Sequence, residues 1–243
     1  MKVVAIIQAR MGSTRLPGKV LKDLCGQSVL ARVVQRTRRA KLLNELVVAT
    51  SVLPADDAIA RECERLSVAC FRGEEADVLD RYYRAAQRFG AEAVVRITAD
   101  CPLIDPELID STIAEFLKER PDYATNSLVV TYPRGLDVEV FTFGALVEAW
   151  RSAKADYERV HVTPYLYEEP GRFRVLSLTA DEDYSENRWT LDTADDLELI
   201  REIFRHFAPN ESMSWREVLE LMKSRPELAE VNAHVLQKGL SEG

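Results

Sequence analysis

The sequence predicts an α/β fold: a three-layer sandwich in a single domain, built on a mostly parallel sheet with an antiparallel excursion. Over the first half of the chain, short apolar segments rich in β-branched residues alternate with helical patterns of roughly 10–15 residues. Such alternation indicates βαβ units with right-handed crossovers, which place helices on both faces of a parallel sheet. The 243 residues, 47% of them hydrophobic and 30% charged, suffice for one large domain over 1–243.

Four strands and four helices are predicted in order before residue 120. The strands are the apolar runs Val3–Ile7, Leu46–Thr50, Val68–Phe71 and Ala93–Thr98. The helices cover 27–43, 54–66, 77–89 and 106–119, where apolar residues recur at helical spacing. Gly90 ends the third helix, and Pro106 takes the first position of the fourth. Asp56 or Ser51 is expected to cap the second helix.

The regularity breaks between about 123 and 190, where we expect the antiparallel excursion. Strands are predicted at 123–126, 137–142 and 172–179, and helices at 143–153 and 156–168. The run Arg188–Leu191 has the pattern of a further strand. Helices at 193–207 and 214–223 close the domain within about 193–225, and the polar segment 226–243 is expected to fray.

Composition excludes several classes of function. The net charge of −8 argues against nucleic acid as a partner, because nucleic-acid-binding proteins present a basic face. No apolar run approaches the roughly 20 residues of a membrane span, and no signal-peptide pattern follows Met1, so a cytoplasmic protein is expected. The four cysteines form no C-x-x-C pair and the three histidines are dispersed, so any metal is expected to have oxygen ligands.

The loop 8–19, which follows the first strand, has the composition of a polyphosphate site. It combines three cations with two glycines and two hydroxyls, and glycines let backbone N–H groups approach an anion closely. It is not a P-loop, because Gly12 and Gly18 have five residues between them and Lys19 is followed by Val20. A nucleoside triphosphate is the expected ligand; the alternative is a basic surface turn. The candidate nucleotide-binding residues are Gln8, Ala9, Arg10, Gly12, Ser13, Arg15 and Lys19.

Two aspartates follow predicted strands and are candidate magnesium ligands. Asp100 comes just after the fourth strand and Asp192 after the run Arg188–Leu191. Ligands of open α/β sheets collect at the carboxyl ends of strands, and Mg²⁺ prefers carboxylate and phosphate oxygens. The alternative is that each aspartate caps the turn or helix that follows it.

Six segments between residue 3 and about 205 carry a combined resemblance. They are the loop 8–19, Arg72-Gly73 with Asp77–Tyr82, Arg96–Ile104, Gly135–Glu139, His161–Tyr165 and Trp189–Leu197. Together they resemble cytidylyltransferases for acylneuraminate-type and 3-deoxy-manno-octulosonate sugars. Their details look most like the branch named for spore coat polysaccharide biosynthesis protein F. One departure is Ala194, where the family usually has proline.

The resemblance implies a Rossmann-like (GT-A-like) nucleotidyltransferase that transfers CMP from CTP to an ulosonic or nonulosonic acid for surface polysaccharide, releasing pyrophosphate. Arg10, Lys19 and Asp100 would be catalytic, and Asp100 and Asp192 would hold Mg²⁺ as the cofactor. Ser13 and the loop amides would orient the phosphate oxygens. Further nucleotide contacts are expected from Arg72, Gly73, Asp77, Thr98 and Ala99, although Arg72-Gly73 also fits a structural turn.

The acceptor site is expected in the irregular section, where a homodimer partner is also expected to bind. Arg134 suits a substrate carboxylate because a guanidinium pairs with it through two hydrogen bonds. His161 and Tyr165, four residues apart on a helix, alternatively pack together. The acceptor candidates are Arg134, Asp137, Glu139, Glu158, His161 and Tyr165.

Three other functions are weighed against this one. A related nucleotidyltransferase would use another base, or a phosphosugar or alditol phosphate as acceptor. A glycosyltransferase on a related fold would normally carry an Asp-x-Asp pair, which Asp100-Cys101-Pro102 is not. A binding module without catalysis would have no need of Lys19 together with both aspartates.

Overall fold

A computed structural model describes residues 1–209, 212–237 and 239. The described residues form one seven-stranded sheet in the order β3-β2-β1-β4-β6-β5-β7. The strands are β1 (Val3–Gln8), β2 (Glu45–Ser51), β3 (Ala69–Gly73), β4 (Ala93–Thr98), β5 (Tyr123–Thr125), β6 (Glu139–Thr142) and β7 (Val175–Ser177). Strands β1 to β4 pair in parallel, and β6 runs antiparallel to both β4 and β5. The predicted parallel sheet with an antiparallel excursion is confirmed.

Helices cover both faces of this sheet. They are α1 (Val29–Thr37), α2 (Asp57–Arg65), α3 (Val78–Arg88), α4 (Pro106–Glu119), α5 (Phe143–Ser152), α6 (Asp156–His161), α7 (Pro164–Tyr167), α8 (Ala194–Phe207), α9 (Trp215–Ser224) and α10 (Glu227–Glu230). Short 3-10 turns cover Lys19–Leu21 and Pro54–Asp56. No helix among the described residues is both long and apolar enough to cross a membrane.

The two faces of the sheet bury two separate apolar clusters. Along β1, Val3, Ala5 and Ile7 contact one cluster, whereas Val4 and Ile6 contact the other. This alternation follows from the two-residue period of a strand, and both sets are apolar because both faces are covered. One cluster packs under α1, α2, α4, α8 and α9, and the other under α3 and α5. The result is the predicted three-layer sandwich.

The irregular section departs from its predictions in three places. The helix predicted at 156–168 is two short helices, because Val162 has a φ of 74° and Pro164 begins a new helix. The strand predicted at 172–179 is only the three-residue β7. The run Arg188–Leu191 is not a strand; it forms an isolated bridge through Arg188 to Arg134.

The segment after residue 225, which was expected to fray, packs against α8 as far as it is described. It contains α10, and Leu228 and Asn232 are buried. Residues 238 and 240–243 lie outside the described residues. That all 243 residues form one domain stays a prediction.

Candidate active site

A cavity of about 380 Å³ opens at the carboxyl ends of β1 and β4. This is where ligands collect in open α/β sheets, and the volume lies within the range of small-molecule sites. Its wall includes the loop that follows β1, residues 98–101 after β4, part of α3, and residues 134, 137, 190 and 192.

The loop after β1 is held against β2 by a buried aspartate, Asp56. Its carboxylate accepts hydrogen bonds from the Met11 backbone N–H at 2.8 Å and from the Ser51 hydroxyl at 2.6 Å. The loop closes on itself where Gly18 N–H donates to the Met11 carbonyl, and Gly18 has a φ of 67° that favours glycine. Lys19 then enters the cavity from the first residue of a 3-10 turn. The side chain of Asp56 therefore fixes the loop. The expected side-chain hydrogen bond from Asp56 to the start of α2 is not made.

Lys19 lies at the centre of the charged end of the cavity. Its Nζ donates to Asp100 Oδ2 at 2.7 Å and to Asp192 Oδ1 at 2.8 Å. Burial alone would lower the pKa of Lys19, but the two carboxylates outweigh it and raise the pKa. Desolvation would raise the pKa of Asp100, but the Lys19 ammonium lowers it to about 2. Lys19 and Asp100 are therefore both charged at neutral pH.

The two aspartates meet because the chain segments that carry them are hydrogen-bonded. The Leu191 backbone N–H donates to the Asp100 carbonyl at 2.8 Å. On the other side, Trp189 N–H donates to the Arg134 carbonyl at 2.7 Å. Gly135, with a φ of 99°, passes so close that an added Cβ would lie 2.7 Å from Thr190 N. No side chain fits there, so glycine is required for this approach.

Two arginines complete the charged end. Arg15 Nη2 lies 2.8 Å from Asp192 Oδ2, and Arg188 Nη2 donates to the same oxygen at 2.7 Å. Asp192 thus forms ion pairs with three cations, of which Arg188 is shared with the fully buried Asp196. We call Arg15, Lys19, Asp100 and Asp192, together with Arg188, which pairs with Asp192 but is not part of the wall, the charged end of the cavity.

A second part of the cavity wall, which we call the inner wall, contains Gln8, Arg81 and Arg96. Arg96 forms an ion pair with Glu139, which also accepts a hydrogen bond from the Tyr123 hydroxyl at 2.9 Å. Burial would lower the pKa of Arg96, but the Glu139 charge raises it, whereas burial lowers the pKa of Arg81. Three buried atoms here have no hydrogen-bond partner within the described residues: Gln8 Oε1, Arg81 Nε and Arg96 Nε.

With this geometry in view, comparison with known proteins identifies the family. A family model described as Cytidylyltransferase matches residues 4–224. The chain belongs to the cytidylyltransferase family. The predicted family and nucleotidyltransferase activity are confirmed.

Individual relatives agree with this assignment. This cytidylyltransferase is 34% identical over 234 residues to spore coat polysaccharide biosynthesis protein SpsF of Bacillus subtilis, covering 93% of this chain and 96% of that protein. A 3-deoxy-manno-octulosonate cytidylyltransferase of Geobacter sulfurreducens is 42% identical over 123 residues, which is 50% of this chain and 47% of that enzyme. The structure of a cytidylyltransferase from Leptospira borgpetersenii aligns with a TM-score of 0.91 at 33% identity, over 94% and 97% of the two chains.

Most of the predicted nucleotide and metal residues of the cytidylyltransferase meet in this cavity. Its wall includes Gln8, Ala9, Arg10, Ser13, Arg15, Lys19, Thr98, Ala99, Asp100 and Asp192. Gly12, Arg72, Gly73 and Asp77 are not part of the wall. Arg72 donates to the Ser51 and Leu53 carbonyls and forms an ion pair with Asp57. Asp77 caps α3 and forms an ion pair with Arg159. A role for Arg72, Gly73 and Asp77 in reading the base stays a prediction, as does a phosphate contact from Gly12.

The acceptor candidates divide in the same way. Arg134, Asp137 and His161 line the cavity, and burial raises the pKa of Asp137. The other three lie outside it: Glu139 forms an ion pair with Arg96, Glu158 accepts the Ala155 N–H at the start of α6, and Tyr165 stacks under the Arg172 guanidinium.

Sequence reasoning selected Gln8 but missed Arg81 and Arg96 of the inner wall, and it missed the residues behind Asp192. Arg96 is the single charged residue in the apolar run of β4, which was a usable signal. Arg81 sits on the buried face of α3, where a cation is unusual. Asp196 and Arg188 gave no distinct signal, because an aspartate in the first turn of a helix is explained by capping alone.

Asp100 and Asp192 are suited to hold a divalent cation. Their oxygens converge on one point, since both lie within hydrogen-bonding distance of Lys19 Nζ. No group of three or more His, Cys, Asp or Glu side chains with metal-binding geometry occurs in the described part of the chain. Two carboxylates leave the remaining positions to substrate oxygens and water, which is the usual manner of Mg²⁺ binding.

Proposed function

We propose that this cytidylyltransferase transfers CMP from CTP to a sugar acid, releases pyrophosphate, and depends on Mg²⁺. The observation that carries the proposal is the meeting of Lys19, Asp100 and Asp192 in one cavity at the carboxyl ends of the sheet. A pair of carboxylates with cationic side chains beside it suits a triphosphate, which the cations would bind, and its metal counter-ion, which the carboxylates would bind. The names of the relatives support cytidine and a polysaccharide-related sugar.

In the proposed reaction, an acceptor hydroxyl attacks the α-phosphorus of CTP in line with the departing pyrophosphate. A new O–P bond forms, the bond to the β-phosphate bridging oxygen breaks, and the hydroxyl proton is released. Such a reaction needs mainly positioning and charge stabilisation from the protein. Lys19, Arg10 and Arg15 lie where cations can bind the β- and γ-phosphates, and Ser13 can orient the same oxygens.

Asp100 and Asp192 would hold Mg²⁺, which when bound supplies Lewis-acid stabilisation of phosphate charge and a more acidic acceptor hydroxyl. In the structure Lys19 occupies the space between these carboxylates. When the triphosphate binds, the Lys19 ammonium can exchange its carboxylate partners for phosphate oxygens. The Lys19 ammonium is then paired with negative charge both before and after the exchange.

The cations of the cavity wall support an anionic acceptor. Arg96 and Arg134 line it together with His161, and a guanidinium binds a carboxylate through paired hydrogen bonds. A sugar carboxylate fits this surface. A sugar or alditol phosphate also fits it, and that acceptor class is the second candidate. The expected homodimer and the cytoplasmic location stay predictions.

The test is a matrix of reactions with the purified full-length protein. Each of the four nucleoside triphosphates is combined with Mg²⁺ and with ulosonic acids, sugar phosphates or alditol phosphates, and pyrophosphate release is measured. We expect release with CTP and a sugar acid. Release only with UTP or GTP would exclude cytidine, and release only with phosphorylated acceptors would establish the second candidate. Transfer from a preformed nucleotide sugar would point to glycosyl transfer.

A further inference from the structure

A segment near the end of the chain contacts the charged end of the cavity. We call residues 232–237 the C-terminal clasp. Gln237 lines the cavity, and its Oε1 accepts a hydrogen bond from Arg188 Nη1 at 2.5 Å. The clasp lies beyond residue 224, where the match to the family model ends.

The most buried polar contact of the clasp is made by Asn232, which is 4% exposed. Its Nδ2 donates to Asp196 Oδ1 at 2.8 Å and to the Arg188 carbonyl at 3.0 Å. Arg188 Nε donates to the same Asp196 oxygen at 3.1 Å, and Arg188 Nη2 donates to Asp192 Oδ2 at 2.7 Å. A continuous chain of hydrogen bonds therefore runs from Asn232 through Asp196 and Arg188 to Asp192.

We propose that Asn232 is a positioning residue, which orients the carboxylate of Asp192 through Asp196 and Arg188. The proposal rests on the proposed function, in which Asp192 holds the divalent cation. A group that orients a metal-binding side chain typically changes metal affinity or activity by about 10–100-fold when removed. Because Asn232 acts through two residues, we place its effect near tenfold.

The contact is separate from the cap of α8. The capping bonds use the other oxygen of Asp196, since Asp192 N–H and Thr193 N–H both donate to Oδ2 at 2.9 Å. Removing Asn232 leaves these bonds in place. It leaves Oδ1 with Arg188 Nε as its remaining donor among the described residues, so the guanidinium is drawn toward Asp196 and away from Asp192.

The test compares Asn232→Ala and Asn232→Leu with the wild type. Leucine is larger than asparagine but has the same branching at Cγ and no donor, so only Asn232→Ala leaves a cavity, whereas both variants lose the hydrogen bonds. An effect shared by the two variants therefore comes from the lost donor rather than from lost packing. Asn44→Ala is the matched control, because Asn44 Oδ1 accepts the Val3 N–H at 2.7 Å at the opposite end of β1. Circular dichroism establishes folding, and pyrophosphate release gives kcat and the Mg²⁺ concentration at half-maximal rate.

A second readout does not depend on turnover. Mn²⁺ is titrated into protein with CTP and no acceptor, and the electron paramagnetic resonance signal of free Mn²⁺ gives its dissociation constant. We expect both Asn232 variants to weaken Mn²⁺ binding about tenfold and to raise the half-maximal Mg²⁺ concentration similarly. The Asn44→Ala protein should match the wild type in both.

Three results would overturn the proposal. The first is that folded Asn232→Ala binds Mn²⁺ as the wild type does. The second is that Asn232→Leu binds Mn²⁺ normally while Asn232→Ala does not. The third is that both variants lose the native fold. If the wild type makes no CMP product, the proposed function fails, but the Mn²⁺ titration still decides whether Asn232 supports the ion site.

Discussion

Two parts of the cavity hold their charges in different ways. At the charged end, Lys19, Asp100, Asp192 and Arg15 form ion pairs with one another. At the inner wall, Arg96 forms an ion pair with Glu139, and polar atoms of Gln8, Arg81 and Arg96 are buried without partners among the described residues. A ligand at the charged end must therefore replace existing ion pairs, whereas the ion pair of the inner wall involves a residue outside the cavity wall.

This difference predicts two responses to substitution. In the proposed reaction, exchange of ion pairs would let the charged end adjust to charge that moves from the α-phosphate to pyrophosphate. Changes at the charged end are therefore expected to alter the rate, whereas changes at the inner wall, where Arg96 and Glu139 form a buried ion pair, are expected to alter stability.

The largest expected effect is on stability at the inner wall. Arg96→Met leaves the buried Glu139 without its cation, and breaking a buried ion pair this way costs about 3–5 kcal/mol. Urea unfolding measures the loss. Lys118→Met is the control, because its ion pair with Glu115 is exposed to solvent and should change the free energy of unfolding little. If the two variants lose equal free energy of unfolding, the ion pair of the inner wall stabilises the fold no more than an ion pair on the surface.

The next effect is on the rate of the reaction and concerns the charged end. Lys19→Ala and Asp100→Ala should each lower turnover by roughly 10²–10³-fold, as the loss of one stabilising group typically does. Pyrophosphate release under saturating CTP is the measurement. Lys22→Ala, three residues from Lys19 and outside the cavity wall, serves as the control. Near-normal turnover in either variant would take that residue out of its proposed role.

The smallest effect is a pH dependence of stability. The pKa of Asp100 is lowered to about 2 in the folded protein from 3.8, so its ion pair with Lys19 stabilises the fold above about pH 4. This contribution, at most about 2 kcal/mol, is lost as the pH falls through 2. Lys19→Met should therefore be less stable than the wild type at pH 5, and the gap should close towards pH 2. A constant gap would show that Lys19 acts by packing.

Sequence patterns located most of the parallel half of the fold closely, although the helix predicted at 27–43 is only Val29–Thr37. The β4 prediction and the helix at 106–119 coincide with the observed elements. Strong periodicity and clear end signals, such as Asp105 and Pro106, explain this agreement. Between 156 and 168 the apolar pattern favours one continuous helix, but Pro164 is a local signal for a break, and the structure begins a new helix there.

The sequence by itself determined the cations of the loop 8–19 and the carboxylate of Asp100, because loop composition and strand ends are local properties of the chain. Lys19 and Asp100 could be chosen from a single sequence for that reason. The tertiary structure alone decided that Arg96 faces the cavity, that Glu139 pairs with it, and that Asn232 reaches Asp196. These contacts join residues far apart in sequence. They depend on which faces of the helices and strands meet, and the local periodicity of the sequence does not specify those pairings.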